Sequence, residues 1–490
     1  MTGVLKNYIN GEWVETKSVA FLDVINPSDG SLLSKVPAGS AEDVALTAEK
    51  AHQAYKSWRE VPATQRIQYL FRMKQILEKN ADEISAICTR ESGKTFAESK
   101  AEIVRAVENI EVACGIPKLL QSDFSEDITR GIDEFVIRQP LGVGACIAPF
   151  NFPVMIAFWF MPYAIACGNT YIVKPSEKVP GTMTRIFELF EELNLPPGVL
   201  NLVHGGKETV DAILKNPAIP AISFVGSTHV AKYIYQTGVA NGKRVQAQGG
   251  AKNPVVVMPD ADPDTTVKII ADSAFGCAGQ RCLAASLAIL VGEAGTTFTE
   301  KIVAAARTKK TGDGLEEGTE MGPVITSESM NRINGLIQRG IDDGATLLLD
   351  GRGIKVPGHE NGNFMGPVIL GNVNPGSEIY NTEVFGPVLC IVNTGTLDDA
   401  IELINSSRYG NSACIFTRSG SAARKFRHEV LAGNVGINIG IAAPMAFFPF
   451  SGWKESFFGD LHGQSNHAVE FYTQTKVVIE RWHDEWTRKF

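Results

Sequence analysis

No C-x-x-C pair and no metal-style quartet occurs among the eight cysteines of the 490-residue chain. A zinc ribbon and a secreted disulfide framework are therefore not expected. The eight histidines form no H-E-x-x-H pair, so histidine-based metal and triad chemistries have little support and no metal is expected. No P-loop is present, and the dinucleotide fingerprint G-x-G-x-x-G is missing; Gly142-Val-Gly144 begins like it but continues Ala-Cys-Ile. There is no basic excess either: 46 Lys and Arg stand against 54 Asp and Glu, a net charge of −8, which disfavours nucleic acid as a partner. The one uncharged run, Pro153 to Gly168 (PVMIAFWFMPYAIACG), is interrupted by Pro162 and falls short of the ~18–20 residues of a membrane span. It reads as a buried helix. The start, MTGVLKNYINGEW, has neither a basic region followed by an apolar stretch nor an Arg-rich transit character. A soluble, cytoplasmic protein without membrane contact is expected.

What is present is an ordinary globular balance, 44% apolar and 20% charged residues, at a length that suggests about three structural units or one two-lobed enzyme. The first 120 residues read mainly as helices. Ser40-Ala41-Glu42-Asp43 has the form of a capping box, followed by Val44, Ala48, Ala51, Tyr55 and Trp58 along one helical face. Pro62 is placed to open a helix carrying Leu70, Met73 and Leu77, and Asn80 with Glu83 to cap a third. From residue 141 short β-branched runs alternate with helices: Val143–Ile147, Tyr171–Val173, Val199–Val203 and Ile222–Val225, then Val255–Met258, Leu287–Val291 and Thr346–Leu349. This is the pattern of parallel sheets with helices on both faces. Residues 122–140 read as an exposed hairpin, and the alternating stretch 468–480 as an edge strand able to pair with it or with another subunit.

Four segments carry candidate chemistry. Cys282 lies in Gly279-Gln-Arg-Cys282, where the adjacent Arg281 could lower a thiol pKa and make it nucleophilic; a buried structural cysteine is the competing reading, the one given to Cys88, Cys114, Cys146, Cys167, Cys390 and Cys414, while Cys277 shares the loop but lacks an adjacent arginine. Asn151, in Pro149-Phe-Asn-Phe-Pro153, follows a strand and could donate to an oxyanion or cap the next helix. Lys174-Pro-Ser-Glu177 follows a strand, where α/β folds bind ligands; a lysine and an acid can reach ribose hydroxyls, and the acid repels a 2′-phosphate. Gly226-Ser-Thr228 opens a helix after another strand, a place for a pyrophosphate.

Taken in chain order, PFNFP (149–153), KPSE (174–177), FVGST (224–228), GQRC (279–282) and EVFGP (383–387) resemble the aldehyde dehydrogenase superfamily, over nearly the whole chain from NYINGEW to SGWKESFFG. The resemblance implies an α/β fold with two doubly wound parallel-sheet lobes and a small β oligomerisation arm. A cofactor lobe would comprise 1–121 and 141–247, a catalytic lobe 248–448, and the arm 122–140 and 467–490, the last making a homo-oligomer, dimer or tetramer. By the same resemblance Cys282 is the nucleophile and Asn151 the oxyanion donor. Lys174 and Glu177 hold the adenosine ribose of NAD, Ser227 the pyrophosphate side and Glu383 the nicotinamide ribose, while Ala148, Phe150, Lys178 and Gly249 line the groove.

One departure points to a branch. Hydrolytic members carry a glutamate 34 residues before the cysteine, where this chain has Gln248. An amide is a poor general base, so water should attack the acyl-enzyme slowly, whereas the thiol of coenzyme A needs less help. The segments RVQ…GAKN (244–253), APMAFFPFSGWK (443–454) and SGKT…RAVENIEVAC (92–114) resemble the CoA-acylating branch acting on methylmalonate and malonate semialdehydes. Arg281 and Arg105 match that branch's carboxylate-binding arginines, guanidinium being suited to a bidentate grip; for Arg105 a helix-face pairing with Glu102 or Glu108 is the alternative. Expected partners are a small semialdehyde, NAD and coenzyme A, with a hydrolytic enzyme giving a free acid as the alternative.

Overall fold

The computed structural model describes residues 3–482; the last eight residues of the expected arm lie outside that range. Three sheets organise it. The first has eight strands, ordered 12–14, 7–9, 200–202, 170–174, 143–147, 221–225, 244–248 and 457–458. Its five inner strands are mutually parallel and only the edges are antiparallel. Val143–Ile147, Thr170–Lys174 and Ala221–Val225 are buried along their whole length. Helices cover both faces, which is why these segments read as continuous apolar runs rather than alternating ones. The second sheet has seven strands, ordered 346–349, 368–371, 388–394, 285–291, 253–257, 412–416 and 434–437. The third is the antiparallel arm, 473–481 against 132–140 against 124–129.

Two lobes and an arm are thus the observed architecture, and local differences from expectation have physical causes. Thr346–Leu349 is an antiparallel edge, not part of the parallel series. The tail is a strand only from Thr473; Ser465–Phe471 is a helix that buries Ala468, Val469 and Phe471. The uncharged run is two short buried helices, Met155–Phe158 and Met161–Cys167, rather than one. Four strands precede the first helix, within a region read as mainly helical. Strand Phe457–Phe458 closes the first sheet from far along the chain, in a stretch assigned to no lobe by the sequence.

The first long helix, Ala41–Trp58, buries Val44, Ala48, Ala51 and Trp58 as its spacing predicts. Its capping box is only half formed. Ser40 Oγ accepts from Asp43 N at 3.3 Å, but the Asp43 carboxylate turns away to Asn7 Nδ2 and Lys17 N, each at 3.1 Å. Asn80 and Glu83 do not cap the third helix: Asn80 Nδ2 donates to Ile76 O at 2.8 Å, and Glu83 pairs with Arg185 at 2.8 Å. No helix among the described residues is long and apolar enough to cross a membrane.

Arg244 is one of several first-lobe side chains that tie down the chain's tail, beside Asn169, Tyr171 and Ser223, which bond Tyr472. Arg244 Nη1 donates to the carbonyls of Glu470, Phe471 and Thr473 at 2.9, 2.7 and 2.8 Å. A charged donor shared among carbonyls contributes about 1.5–3 kcal/mol. Arg244→Ala is expected to lower the urea midpoint by that order of stability; an unchanged midpoint would show that the tail is anchored elsewhere.

Candidate active site

The strands Thr170–Lys174, Val143–Ile147, Ala221–Val225 and Arg244–Gln248 are neighbours and parallel, so their carboxyl ends lie side by side. This is where open α/β sheets bind ligands. The segments leaving them line a cleft of about 1020 Å3. Ala148, Phe150 and Asn151 follow one strand, Lys174, Glu177 and Lys178 the next, Ser227 and Gly249 the other two; Glu383 and Cys282 come from the second lobe. Ten of the twelve residues singled out from the sequence therefore share one cavity.

Its electrostatics are graded. Lys174 Nζ lies 3.1 Å from Glu177 Oε2. Burial works against the Glu177 charge, but Lys174 and Lys178 outweigh it and hold the carboxyl below its ordinary value, leaving an acceptor for hydroxyl groups. Lys178 Nζ sits 5.5 Å over the Phe150 ring, itself edge-on to Phe385. Ser227 precedes the helix Thr228–Ala240 without a side-chain bond to its first turn, so those N–H groups remain available to an anion. Glu383 accepts from Ala251 N at 3.0 Å. Burial pushes its carboxyl up to about 7, against Arg332, Lys252 and Arg408. Gly250 packs close beside it: a Cβ there would stand 2.4 Å from Glu383 Oε2 and displace the carboxylate.

A second cavity, of about 240 Å3, is lined by Glu98, Arg105, Phe152, Trp159, Cys277, Arg281, Phe450 and again Cys282. Cys282 thus borders both spaces. Its carbonyl accepts from Asn253 Nδ2 and from Asn411 Nδ2, each at 2.8 Å. Asn151 does not cap the following helix. Glu102 does, its Oε1 accepting from Val154 N and Met155 N at 2.8 and 2.9 Å. Asn151 Nδ2 donates to Gln280 O at 3.0 Å, and its second hydrogen remains free to donate. Its backbone oxygen accepts from Lys94 Nζ at 3.1 Å, and Lys94 and Glu102 form a buried ion pair.

The arginine expected to activate Cys282 bonds elsewhere. Cys277 and Ala278 have φ of 51° and Gly279 of 67°, a left-handed turn that brings Arg281 back onto the preceding thiol. Arg281 Nη2 lies 3.3 Å from Cys277 Sγ and 3.5 Å from Glu98 Oε1. Gly279 is obligatory, because a Cβ there would meet Gly386 O at 2.0 Å. Burial pushes the Cys282 thiol up to about 12 and Glu383 adds to this, while Arg281 only partly opposes them. Arg105 Nη1 bonds Glu108 Oε2 at 2.7 Å and Met445 Sδ at 2.9 Å. Its Glu108 pairing is real, then, yet it also faces the cavity; Glu102 is taken by Lys94. Among the described residues, no group of three His, Cys, Asp or Glu gathers at metal-binding distance.

With this geometry in place, the match to a family model can be set beside it: the aldehyde dehydrogenase family model matches residues 13–478. The chain belongs to the aldehyde dehydrogenase family. Within that family it is 47% identical to malonate-semialdehyde dehydrogenase 2 of Geobacillus kaustophilus over 98% of this chain and 100% of the relative. It is 46% identical to the acylating, mitochondrial methylmalonate-semialdehyde dehydrogenase of Arabidopsis thaliana, over 98% and 79%. Among solved structures, the methylmalonate-semialdehyde dehydrogenase of Oceanimonas doudoroffii superposes with a TM-score of 0.97 at 44% identity, covering 99% of each chain. A Sinorhizobium meliloti protein assigned to the same activity, solved with NAD, gives 0.97 at 42% identity, again covering 99% of each.

Lys94, Glu102, Asn253 and Asn411 are the site residues that sequence reading missed. Lys94 and Glu102 fall in segments already noted, where a lysine and a glutamate eight residues apart gave no sign of pairing across a helix start. The high Cys282 pKa has a direct consequence. In the enzyme alone, alkylation of Cys282, followed by peptide mass, should rise about tenfold per pH unit through neutrality with no early plateau. Glu383→Gln removes a charge that disfavours the thiolate and should speed labelling; slower labelling would contradict this electrostatic assignment.

Proposed function

We propose that the protein catalyses NAD-dependent, CoA-acylating oxidation of malonate or methylmalonate semialdehyde with loss of carbon dioxide, yielding acetyl-CoA or propionyl-CoA. The observation that carries this reading is that Cys282 borders two cavities of different chemistry. One offers a carboxylate beside a lysine, an open helix N-terminus and a second carboxylate, a donor and acceptor set that fits the riboses and pyrophosphate of NAD. The other carries two guanidinium groups, suited to the carboxylate of a semialdehyde. Relatives named for malonate and methylmalonate semialdehydes, one of them termed acylating, support the same substrate class.

Lys174 and Glu177 hold the adenosine ribose, Ser227 the pyrophosphate side and Glu383 the nicotinamide ribose, with Ala148, Phe150, Lys178 and Gly249 as walls. NAD bound there supplies the hydride acceptor. Arg105 and Arg281 orient the substrate carboxylate. The Cys282 thiolate adds to the aldehyde carbon, and the free Asn151 hydrogen with the Cys282 backbone N–H stabilises the oxyanion. Oxidation of this adduct leaves an acyl thioester on Cys282, whose carbonyl takes up the electron pair when the β-carboxylate departs as carbon dioxide. The thiol of coenzyme A then displaces Cys282. Gln248 contributes no base to a competing attack by water.

We assign residues 1–121 and 141–247 to the cofactor lobe, 248–448 to the catalytic lobe, and 122–140 with 467–482 to an oligomerisation arm. The arm's exposed Phe124, Ile128, Val477 and Ile479 favour pairing with further copies of the chain. One observation favours a second reading, hydrolysis to a free acid. The Glu383 carboxyl, near 7, lines the same cleft as Cys282 and is tuned for proton transfer near neutrality.

The two readings separate in one assay, NADH formation from malonate semialdehyde and from propanal, each with and without coenzyme A. Sustained turnover of the semialdehyde only with coenzyme A is expected; equal turnover without it would establish hydrolysis. Arg105→Leu should raise KM for the semialdehyde about 10- to 100-fold, the scale of a lost charge-assisted bond, and leave propanal nearly unaffected. An equal effect on both substrates would remove Arg105 from the substrate site.

A further inference from the structure

Gln248 has so far been described by what it cannot do, yet it is buried and bonded. Its Nε2 donates to Asn411 Oδ1 at 2.9 Å, and Asn411 Nδ2 donates to the Cys282 carbonyl at 2.8 Å. Gln248 and Asn411 are only 5% and 2% exposed. Asn411 is fixed from behind as well, its backbone oxygen accepting from Asn434 N and Asn434 Nδ2 at 3.0 Å each. The direction of these bonds is not interchangeable. A carbonyl oxygen only accepts, so Asn411 must turn its nitrogen toward Cys282 and hence its oxygen toward residue 248. Residue 248 must then donate. Glutamine donates; an ionised glutamate only accepts, and would set oxygen against oxygen at one end of the chain or the other.

We propose that Gln248 is a positioning residue for the nucleophile, selecting the Asn411 amide orientation that grips the Cys282 carbonyl. The side chain at 248 is matched to Asn411 as a donor, beyond being a vacated general base. The inference rests on the reading of Cys282 as nucleophile. Asn253 Nδ2 shares the same carbonyl, so losing the Gln248 contact weakens the grip without releasing it.

Gln248→Glu distinguishes positioning from base catalysis, because the two roles demand opposite protonation states. A neutral carboxylic acid can donate to Asn411 Oδ1 and restore the chain, whereas a general base must be ionised. The readout is NADH formation from malonate semialdehyde with coenzyme A, taken as the ratio of variant to unsubstituted rate across pH. Titrations of Glu383 and Cys282, which lie at the site in both proteins, largely cancel in that ratio. The ratio should stand near one at acid pH and fall about 10- to 30-fold as the carboxyl ionises, the loss expected for one buried hydrogen bond turned repulsive. In an Asn411→Ala background the same substitution should give a markedly smaller fall with pH, since the route through Asn411 is gone. Thermal melting at both pH extremes shows that each variant is folded. A ratio that is flat or rises with pH in the Asn411 protein overturns the inference while leaving Cys282 as nucleophile. Retained activity in Cys282→Ala overturns both.

Discussion

Two side-chain amides, from Asn253 and Asn411, hold the carbonyl oxygen of Cys282 at 2.8 Å, and the rest of the site is built around the loop they fix. Asn253 starts a strand of the second sheet and Asn411 stands just before another. The grip therefore ties the Cys282 loop to two neighbouring strands of the same sheet. On the other side, Asn151 bonds the Gln280 carbonyl, linking that loop to the end of a strand in the first sheet. Cys282 is placed where the two lobes meet by bonds to its own carbonyl and to that of Gln280. Rigid second contacts of this kind are what hold reacting groups in register.

Burial sets the chemistry. Removing Cys282 from water disfavours its thiolate, and the nearby Glu383 carboxylate disfavours it further. Both effects favour the protonated thiol. Charge is distributed around it rather than on it. Arg281 is engaged by Cys277 and Glu98, Arg105 by Glu108, and Lys94 by Glu102. The guanidinium groups of Arg105 and Arg281 line the smaller cavity.

Much of this was legible in the chain. Inner strands such as Val143–Ile147 are buried on both faces, and a run without a charged or polar residue announces that directly. Several cleft residues were legible for a related reason: Lys174 ends such a strand and Asn151 and Ser227 follow others, whereas Gly249 follows the polar strand Arg244–Gln248, which the pattern did not announce. What sequence could not supply was direction. Arg281 stands next to Cys282 in sequence but reaches Cys277 in space, because Cys277, Ala278 and Gly279 turn left-handed; only the glycine hinted at it. Ser40 to Asp43 had the letters of a capping box, but the Asp43 carboxylate found Asn7 and Lys17 instead, a tertiary competition invisible locally. Asn411, a polar residue ahead of an apolar strand, carries no local signal. Its importance lies in a contact 129 residues away.

The most direct measurement is the mass of the enzyme after mixing with malonate semialdehyde and NAD in the absence of coenzyme A. An acetyl group should appear on the peptide carrying Cys282, about one per active site, accompanied by a matching burst of NADH and little turnover after it. Addition of coenzyme A should clear that mass and release acetyl-CoA. An unmodified Cys282 peptide during sustained NADH production would contradict a thioester that awaits coenzyme A, and would place rapid hydrolysis, or another nucleophile, at the centre of the reaction.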